Sequence, residues 1–288
     1  MRKLFYFNSK PKSTLWDQMW SSRTLTQELV ACEIETAPRT SFLTFIPKNG
    51  KILDAGCGFG KWVLYLTRRG YNIIGLDNNE LVIKRLKNYD NSLQVEFGDI
   101  QKLRYPDDHF DAYISMGVVE HFEEGPLSVL KEAYRVLKPG GLIFVSTPMV
   151  NIIRKIVIQP ILNILLRLYS SFLIYKSNRD TQAVNNSKFT TKKKRKYYHF
   201  LEYRYSIKEL KSFLIQSNFE VLKSILHDFH GSKDHCIGLG LDFPFLKARN
   251  GINFQLNSVG KLISRILEKI SPLIASASVL CIGRSLKK

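Results

Sequence analysis

The chain has 288 residues, 44% of them hydrophobic, enough to bury a sizeable core in one α/β domain with insertions. Lys and Arg number 43 against 25 Asp and Glu, a formal net charge of +18 that draws polyanions (nucleic acid or an anionic membrane surface) or simply solvates the surface. The four cysteines, Cys32, Cys57, Cys236 and Cys281, form no C-x-x-C pair, which argues against a structural zinc site and fits a reducing compartment.

In chain order, the apolar stretch of the first ten residues is too short for a signal peptide. Residues 13–45 carry helical spacing, with Trp16, Trp20 and Leu29 as anchors. Residues 51–55 read as a buried strand, followed by the loop Gly56-Cys57-Gly58-Phe59-Gly60 and a helix over 61–69 closed by Gly70. A strand over 72–76 ends at Asp77, a helix spans 80–89, and a strand over 93–97 leads to Gly98-Asp99. A strand over 110–115, a helix over 126–137 stopped by Lys138-Pro139-Gly140-Gly141, and a strand over 142–146 complete the alternation. Five-residue strands between ten-residue helices are the mark of right-handed βαβ units and a parallel sheet.

The alternation stops at Pro148. Residues 149–176 are apolar with basic edges, and 177–196 are polar and contain the run Lys192-Lys193-Lys194-Arg195-Lys196. Charges interrupt both long apolar stretches: Arg154, Lys155 and Arg167 in 150–175, and Arg265, Glu268 and Lys269 in 262–283. Neither therefore reads as a membrane span. Order is expected to resume at Tyr205, where Ser206 and Glu209 form a capping box for a helix running to about Gln216. A strand over 219–226, an amphipathic helix near 258–270 within an irregular stretch at about 230–276, and a last strand over 277–284 follow. The chain thus divides into a core with an N-terminal helical cap (1–148), a helical and basic insertion (149–204), and the remainder of the core with a second insertion (205–288).

The glycine loop carries the most chemistry. Its glycines are spaced G-x-G-x-G, whereas a dinucleotide fingerprint is G-x-G-x-x-G. Asp54, just before the loop, would repel a pyrophosphate but suits a ligand bearing an ammonium and a sulfonium. Asp77, about 20 residues on, stands where a carboxylate accepts from ribose hydroxyls. Asp99 stands where one accepts from an adenine amine. All three acids fall at carboxyl ends of strands, where open α/β sheets bind ligands.

The runs LDAGCGFG (53–60), GLD (75–77), GDIQKLRYPDDHFD (98–111), VVEHF (118–122) and RVLKPGG (135–141) together resemble class I methyltransferases dependent on S-adenosylmethionine. The likeness is greatest to the small-molecule branch with ubiquinone-type and sugar-modifying enzymes. It covers 45–148 strongly and 199–226 more weakly. It implies a doubly wound, mostly parallel seven-stranded sheet with the last strand antiparallel, plus two mainly helical insertions. It also implies S-adenosylmethionine as cofactor, with Gly56, Cys57, Gly58 and Gly60 around its methionine and ribose. Asp77 and Asn78 would take the ribose, Asp99 and Ile100 the adenine, and Met116 and Gly117 the methionine end.

Methyl transfer to a hydroxyl profits from a base, and His121 beside Glu120 fits that role; alternatively the pair orients the following helix. Some quinone-biosynthesis relatives hold a metal through E-x-x-E-H. Gly117 replaces the first acid here, so no metal is expected. Trp16, His199, Tyr203 and Tyr205 are expected at the acceptor pocket, or as packing of the insertion onto the sheet. The reading favours a small or lipid-linked acceptor, such as a glycan or quinone precursor, over RNA or a non-catalytic cofactor-binding role. The basic run beside an apolar basic-edged stretch suits a cytoplasmic protein touching an anionic membrane, with a soluble cap as the alternative.

Overall fold

A computed structural model describes residues 2–8, 24–34, 36–149, 197–227, 256–276 and 278–288, with residues 156, 160, 164 and 246 singly. Trp16, Trp20, Cys236, most of the apolar stretch at 149–176 and the basic run at 192–196 lie outside these residues.

The strands are β1 (Arg2–Asn8), β2 (Lys51–Ala55), β3 (Asn72–Asp77), β4 (Val95–Phe97), β5 (Phe110–Met116), β6 (Leu137–Pro148), β7 (Tyr197–Arg204), β8 (Phe219–His227) and β9 (Ser278–Ser285). The helices are α1 (Leu25–Ile34), α2 (Thr36–Phe45), α3 (Lys61–Thr67), α4 (Glu80–Tyr89), α5 (Leu127–Val136), α6 (Ile207–Gln216), α7 (Ser258–Ile270) and α8 (Pro272–Ala275). Seven strands form one sheet in the order β4-β3-β2-β5-β6-β9-β8. Neighbours from β4 to β6 are parallel, while β9 runs antiparallel to both β6 and β8. This is the expected sheet, with the chain's last strand slotted in reverse between β6 and β8.

Both faces of the sheet are covered, because its central strands are apolar on each side. On one face Val129, Leu130, Ala133 and Val136 of α5 and Leu210 and Leu214 of α6 join Tyr113, Ile143, Val145 and Cys281. On the other, Cys32, Phe42, Trp62, Val63, Val82 and Leu86 from α1 to α4 join Ile52, Ile114, Phe144 and Leu280. Cys32, Cys57 and Cys281 are buried thiols. Strand order reverses between β2 and β5, each of which sends its next connection to a different side, and this opens a crevice at their carboxyl ends.

Two local expectations are corrected. The stretch 138–141 does not merely stop a helix: β6 already starts at Leu137. Its pairing with β5 jumps from Phe110–Leu137 to Ala112–Leu142, so these four residues form an irregularity within the strand. Order also resumes before Tyr205. Residues 197–204, expected inside a helical and basic insertion, form β7, which pairs antiparallel with β1 as a separate two-stranded ribbon. The helix at α6 is as expected, with both halves of its capping box formed by Ser206 and Glu209.

Candidate functional site

The crevice holds a cavity of about 880 Å³, within the range of small-molecule and cofactor sites. One wall is the carboxyl end of β2 and β3 with the start of α4; the other is the segment 117–124 that follows β5.

The first wall is built by short-range geometry. Gly56, Gly58 and Gly60 all adopt positive φ, which no side chain tolerates cheaply. A Cβ on Gly56 would lie 2.6 Å from the Val118 methyls, and one on Gly60 would lie 2.8 Å from the Leu86 methyls. The glycines therefore let the two walls and α4 approach. Asp77 closes the turn: its Oδ2 accepts from Gly58 N at 2.8 Å and its Oδ1 from Asn79 N at 2.9 Å. Burial pushes its carboxyl above the ordinary range, and the backbone donors from Gly58, Asn79 and Asn78 oppose that. Asn79 itself caps α4, its Oδ1 accepting from Leu81 N and Val82 N.

Of the residues expected at a cofactor, Gly56, Asp77, Asn78, Asp99, Ile100 and Gly117 line the cavity. Asp54, Cys57, Gly58, Gly60 and Met116 do not line it. Asp54 is buried behind the loop, where desolvation raises its pKa to about 7, against the pull of Lys61 and with the help of Asp77. Cys57 packs under Gly75, and burial raises its thiol. The sequence reading missed several lining residues, notably Asn79, Glu80, Lys84, Val118, Phe122, Glu123 and Glu124. The run of Asn and Glu after Asp77 was a signal for Asn79 and Glu80. Among the described residues the lining carries Asp77, Glu80, Asp99, Glu123 and Glu124 against one cation, Lys84, which already pairs with Glu80 at 3.3 Å.

The second wall is held from far along the chain. His121 lines the cavity, and its Nδ1 lies 2.7 Å from the Leu201 carbonyl. A carbonyl only accepts, so Nδ1 carries the hydrogen and Nε2 is the ring's acceptor nitrogen. Leu201 is the residue skipped where the β1–β7 register slips between Phe5–Phe200 and Leu4–Glu202. Bulges of this kind re-aim backbone groups. Nearby, Tyr203 donates its hydroxyl to the Glu123 carbonyl at 2.7 Å.

Glu120 is 1% exposed, and its Oε2 has no hydrogen-bond partner among the described residues. Its Oε1 lies 3.9 Å from His121 Nε2. Burial holds this carboxyl well above its ordinary pKa; Glu202 adds to that and Arg204 opposes it. Tyr203 and Tyr205, expected at an acceptor, are buried in the core with Phe200 and Phe213 rather than in the cavity lining. Burial raises the Tyr205 hydroxyl, and Glu120 adds to it. His199 lies on β7 opposite Tyr6. One further pair was invisible to the sequence reading: Ser146 Oγ and His227 Nε2 lie 2.8 Å apart, both buried. The Ser146 carbonyl also accepts from Gly117 N, which ties this pair to the cavity floor.

The methyltransferase domain family matches residues 53–145. The match spans both cavity walls. Residues 53–145 thus resemble the domain of class I methyltransferases dependent on S-adenosylmethionine, as the sequence motifs implied. Its curated relatives include the ubiquinone biosynthesis O-methyltransferase of Pseudomonas aeruginosa, 32% identical over 102 residues, which is 34% of this chain and 44% of that protein. Another is the sterol 24-C-methyltransferase erg6 of Aspergillus fumigatus, 34% identical over 104 residues, 34% of this chain and 27% of that protein. The chain thus matches less than half the length of these relatives. A methyltransferase structure from Archaeoglobus fulgidus superposes with a TM-score of 0.55 at 17% identity, covering 96% of this chain and 100% of that one. One from Methanosarcina mazei gives 0.51 at 17% identity, covering 86% and 98%. At that identity the superpositions speak for the fold.

The acidic lining fits the cofactor of this class: carboxylates accept from an ammonium, ribose hydroxyls and an adenine amine, and they stabilise a sulfonium. A pyrophosphate would meet five acids there.

Proposed function

We propose that the protein methylates a small or lipid-linked acceptor, such as a glycan or quinone precursor. The observation that carries this reading is the acidic cavity at the β2–β5 reversal, with Asp77 and Asp99 on one wall and His121 on the other. When bound, S-adenosylmethionine supplies an electrophilic methyl carbon on a sulfonium, so the protein's task is alignment and proton removal.

Each residue then has a part. Asp77 and Asn78 hold the ribose, Asp99 and Ile100 the adenine, and Gly56 and Gly117 give room for the methionine end. His121 takes the acceptor's proton at Nε2, because its Nδ1–H is committed to the Leu201 carbonyl. A positive ring draws the neighbouring Glu120 carboxyl back towards ionisation, so proton gain by one and loss by the other are coupled. Glu120 is in this view a positioning residue. An acid-lined mouth repels a polyanionic strand, which disfavours RNA as the acceptor despite the charge of +18.

The test has two stages. Calorimetry should show S-adenosylhomocysteine binding to the purified chain; no binding would end the reading. Metabolite comparison of cells with and without the gene should then reveal a substrate pool lacking one methyl group. If the missing methyl proves to be on RNA, the acceptor class is wrong and the cofactor site stands.

A further inference from the structure

Helix α7 turns an apolar side outward. Gly260 and Ser264 are its buried residues, with Ile263 and Leu267 half-buried beside them, and a Cβ on Gly260 would lie 2.7 Å from the Leu246 carbonyl, so this is the face that docks. Val259, Leu262, Ile266 and Ile270 follow at steps of three or four and share the opposite side, continued by Leu273 in α8. These five are between 41% and 67% exposed. A surface helix usually hides its large apolar residues, and here a second apolar stripe stays outside. Along one border of the stripe runs a row at steps of four, Lys261, Arg265 and Lys269, and Glu268 is the only acid in the helix. No helix among the described residues is long and apolar enough to cross a membrane.

We infer that α7 is an in-plane docking helix for an anionic lipid bilayer, with the stripe from Val259 to Ile270 entering the boundary between headgroups and acyl chains. Charge selects this occupant. A second copy would bring like-charged rows together between two chains of net charge +18. An anionic headgroup layer instead neutralises the Lys261–Lys269 row while the acyl region takes up the stripe. The sequence points to a bilayer through 149–176 and 192–196, with the helix near 258–270 adding to that surface; the argument from α7 stands without the first two stretches. It also stands without the methyl-transfer reading, although it would bring the cavity to a membrane-borne acceptor.

The experiment is co-sedimentation of the full chain with vesicles of phosphatidylcholine alone or mixed with phosphatidylglycerol, at low and high salt. Wild type should pellet with the mixed vesicles at low salt and stay in solution with phosphatidylcholine alone. Leu262→Gln combined with Ile266→Gln should lower the partition coefficient by about tenfold or more. Arg265→Glu and Lys269→Glu should each lower it by about fivefold or more at low salt. All four positions lie on the exposed side or its border, so circular dichroism and S-adenosylhomocysteine affinity should be unchanged. That control separates failure of the docking idea from failure of the cofactor site. Wild type remaining in the supernatant, or the Leu262/Ile266 variant pelleting like wild type, overturns the proposal. So does a concentration-dependent dimer in ultracentrifugation that the same variant abolishes.

Discussion

The two walls of the cavity are made in different ways. On the β2–β3 wall, Asp77 bonds to Gly58, 19 residues away, and to Asn79, two away. On the facing wall, His121 bonds to Leu201 and Glu123 to Tyr203, each 80 residues away, across an insertion. The first wall is a tight turn that specifies itself. The second is a short 3-10 turn, Val119–His121, held in place by a ribbon whose other strand is β1 near the start of the chain. The first wall thus forms from a local segment, whereas the second depends on contacts across the insertion. Changes in the first wall should be felt in cofactor affinity and local stability, and changes in the second in turnover.

The largest expected effect is on the second wall. His121→Ala should lower turnover on the true acceptor by about 10²–10⁴ while S-adenosylhomocysteine affinity, read by calorimetry, stays nearly constant. Normal turnover would remove His121 as the base. If instead the melting temperature falls with turnover intact per folded molecule, the residue serves only to anchor β7.

Next comes Asp54 behind the first wall. Its folded-state pKa is about 7 because burial disfavours the charge. In the unfolded chain the proton leaves near the ordinary aspartate value of 3.8. Between those values the folded state holds a proton that the unfolded state has lost. Asp54 therefore makes the protein less stable as pH rises from about 4 to about 7, with no further change above. The effect is at most about 4 kcal/mol, at 1.36 kcal/mol per pH unit. Asp54→Asn should flatten that part of the pH dependence in urea titrations and stabilise the apo-protein at pH above 7. An unchanged slope would mean that Asp54 is ionised throughout.

Asp77→Asn follows. It removes the charge but leaves an acceptor for one backbone donor, so the turn should survive. Cofactor-product affinity should fall by about 1.5–3 kcal/mol. Equal affinity in a folded variant would show that Asp77 only closes the turn. The smallest effect is Tyr203→Phe, which deletes the bond to the Glu123 carbonyl and should cost about 0.5–1.5 kcal/mol of stability. A double-mutant cycle of His121→Ala with Tyr203→Phe should show coupling in turnover if the ribbon positions the base, and none if the walls are independent.

The local sequence fixes the first wall, because its signals are short-range. Positive φ demands glycine at 56, 58 and 60, an acid at the end of β3 meets the donors of the turn beside it, and apolar five-residue runs between amphipathic helices give the parallel sheet. Ser206 and Glu209 announced α6 for the same reason: a capping box lies within four residues. The tertiary structure decided the rest. β7 lay hidden because the bulge at Leu201 breaks the alternation of buried Phe200 and Tyr203, and because its partner β1 stands nearly 200 residues away in the chain. The burial of Glu120, the tautomer of His121 and the meeting of Ser146 with His227 depend likewise on which distant backbone closes over them. α7 was legible as an amphipathic helix, but which side faces out was not. A periodic stripe of apolar residues records only a common side, and the close approach of Gly260 to the Leu246 carbonyl, with Ser264 buried on the same face, left that side to the solvent.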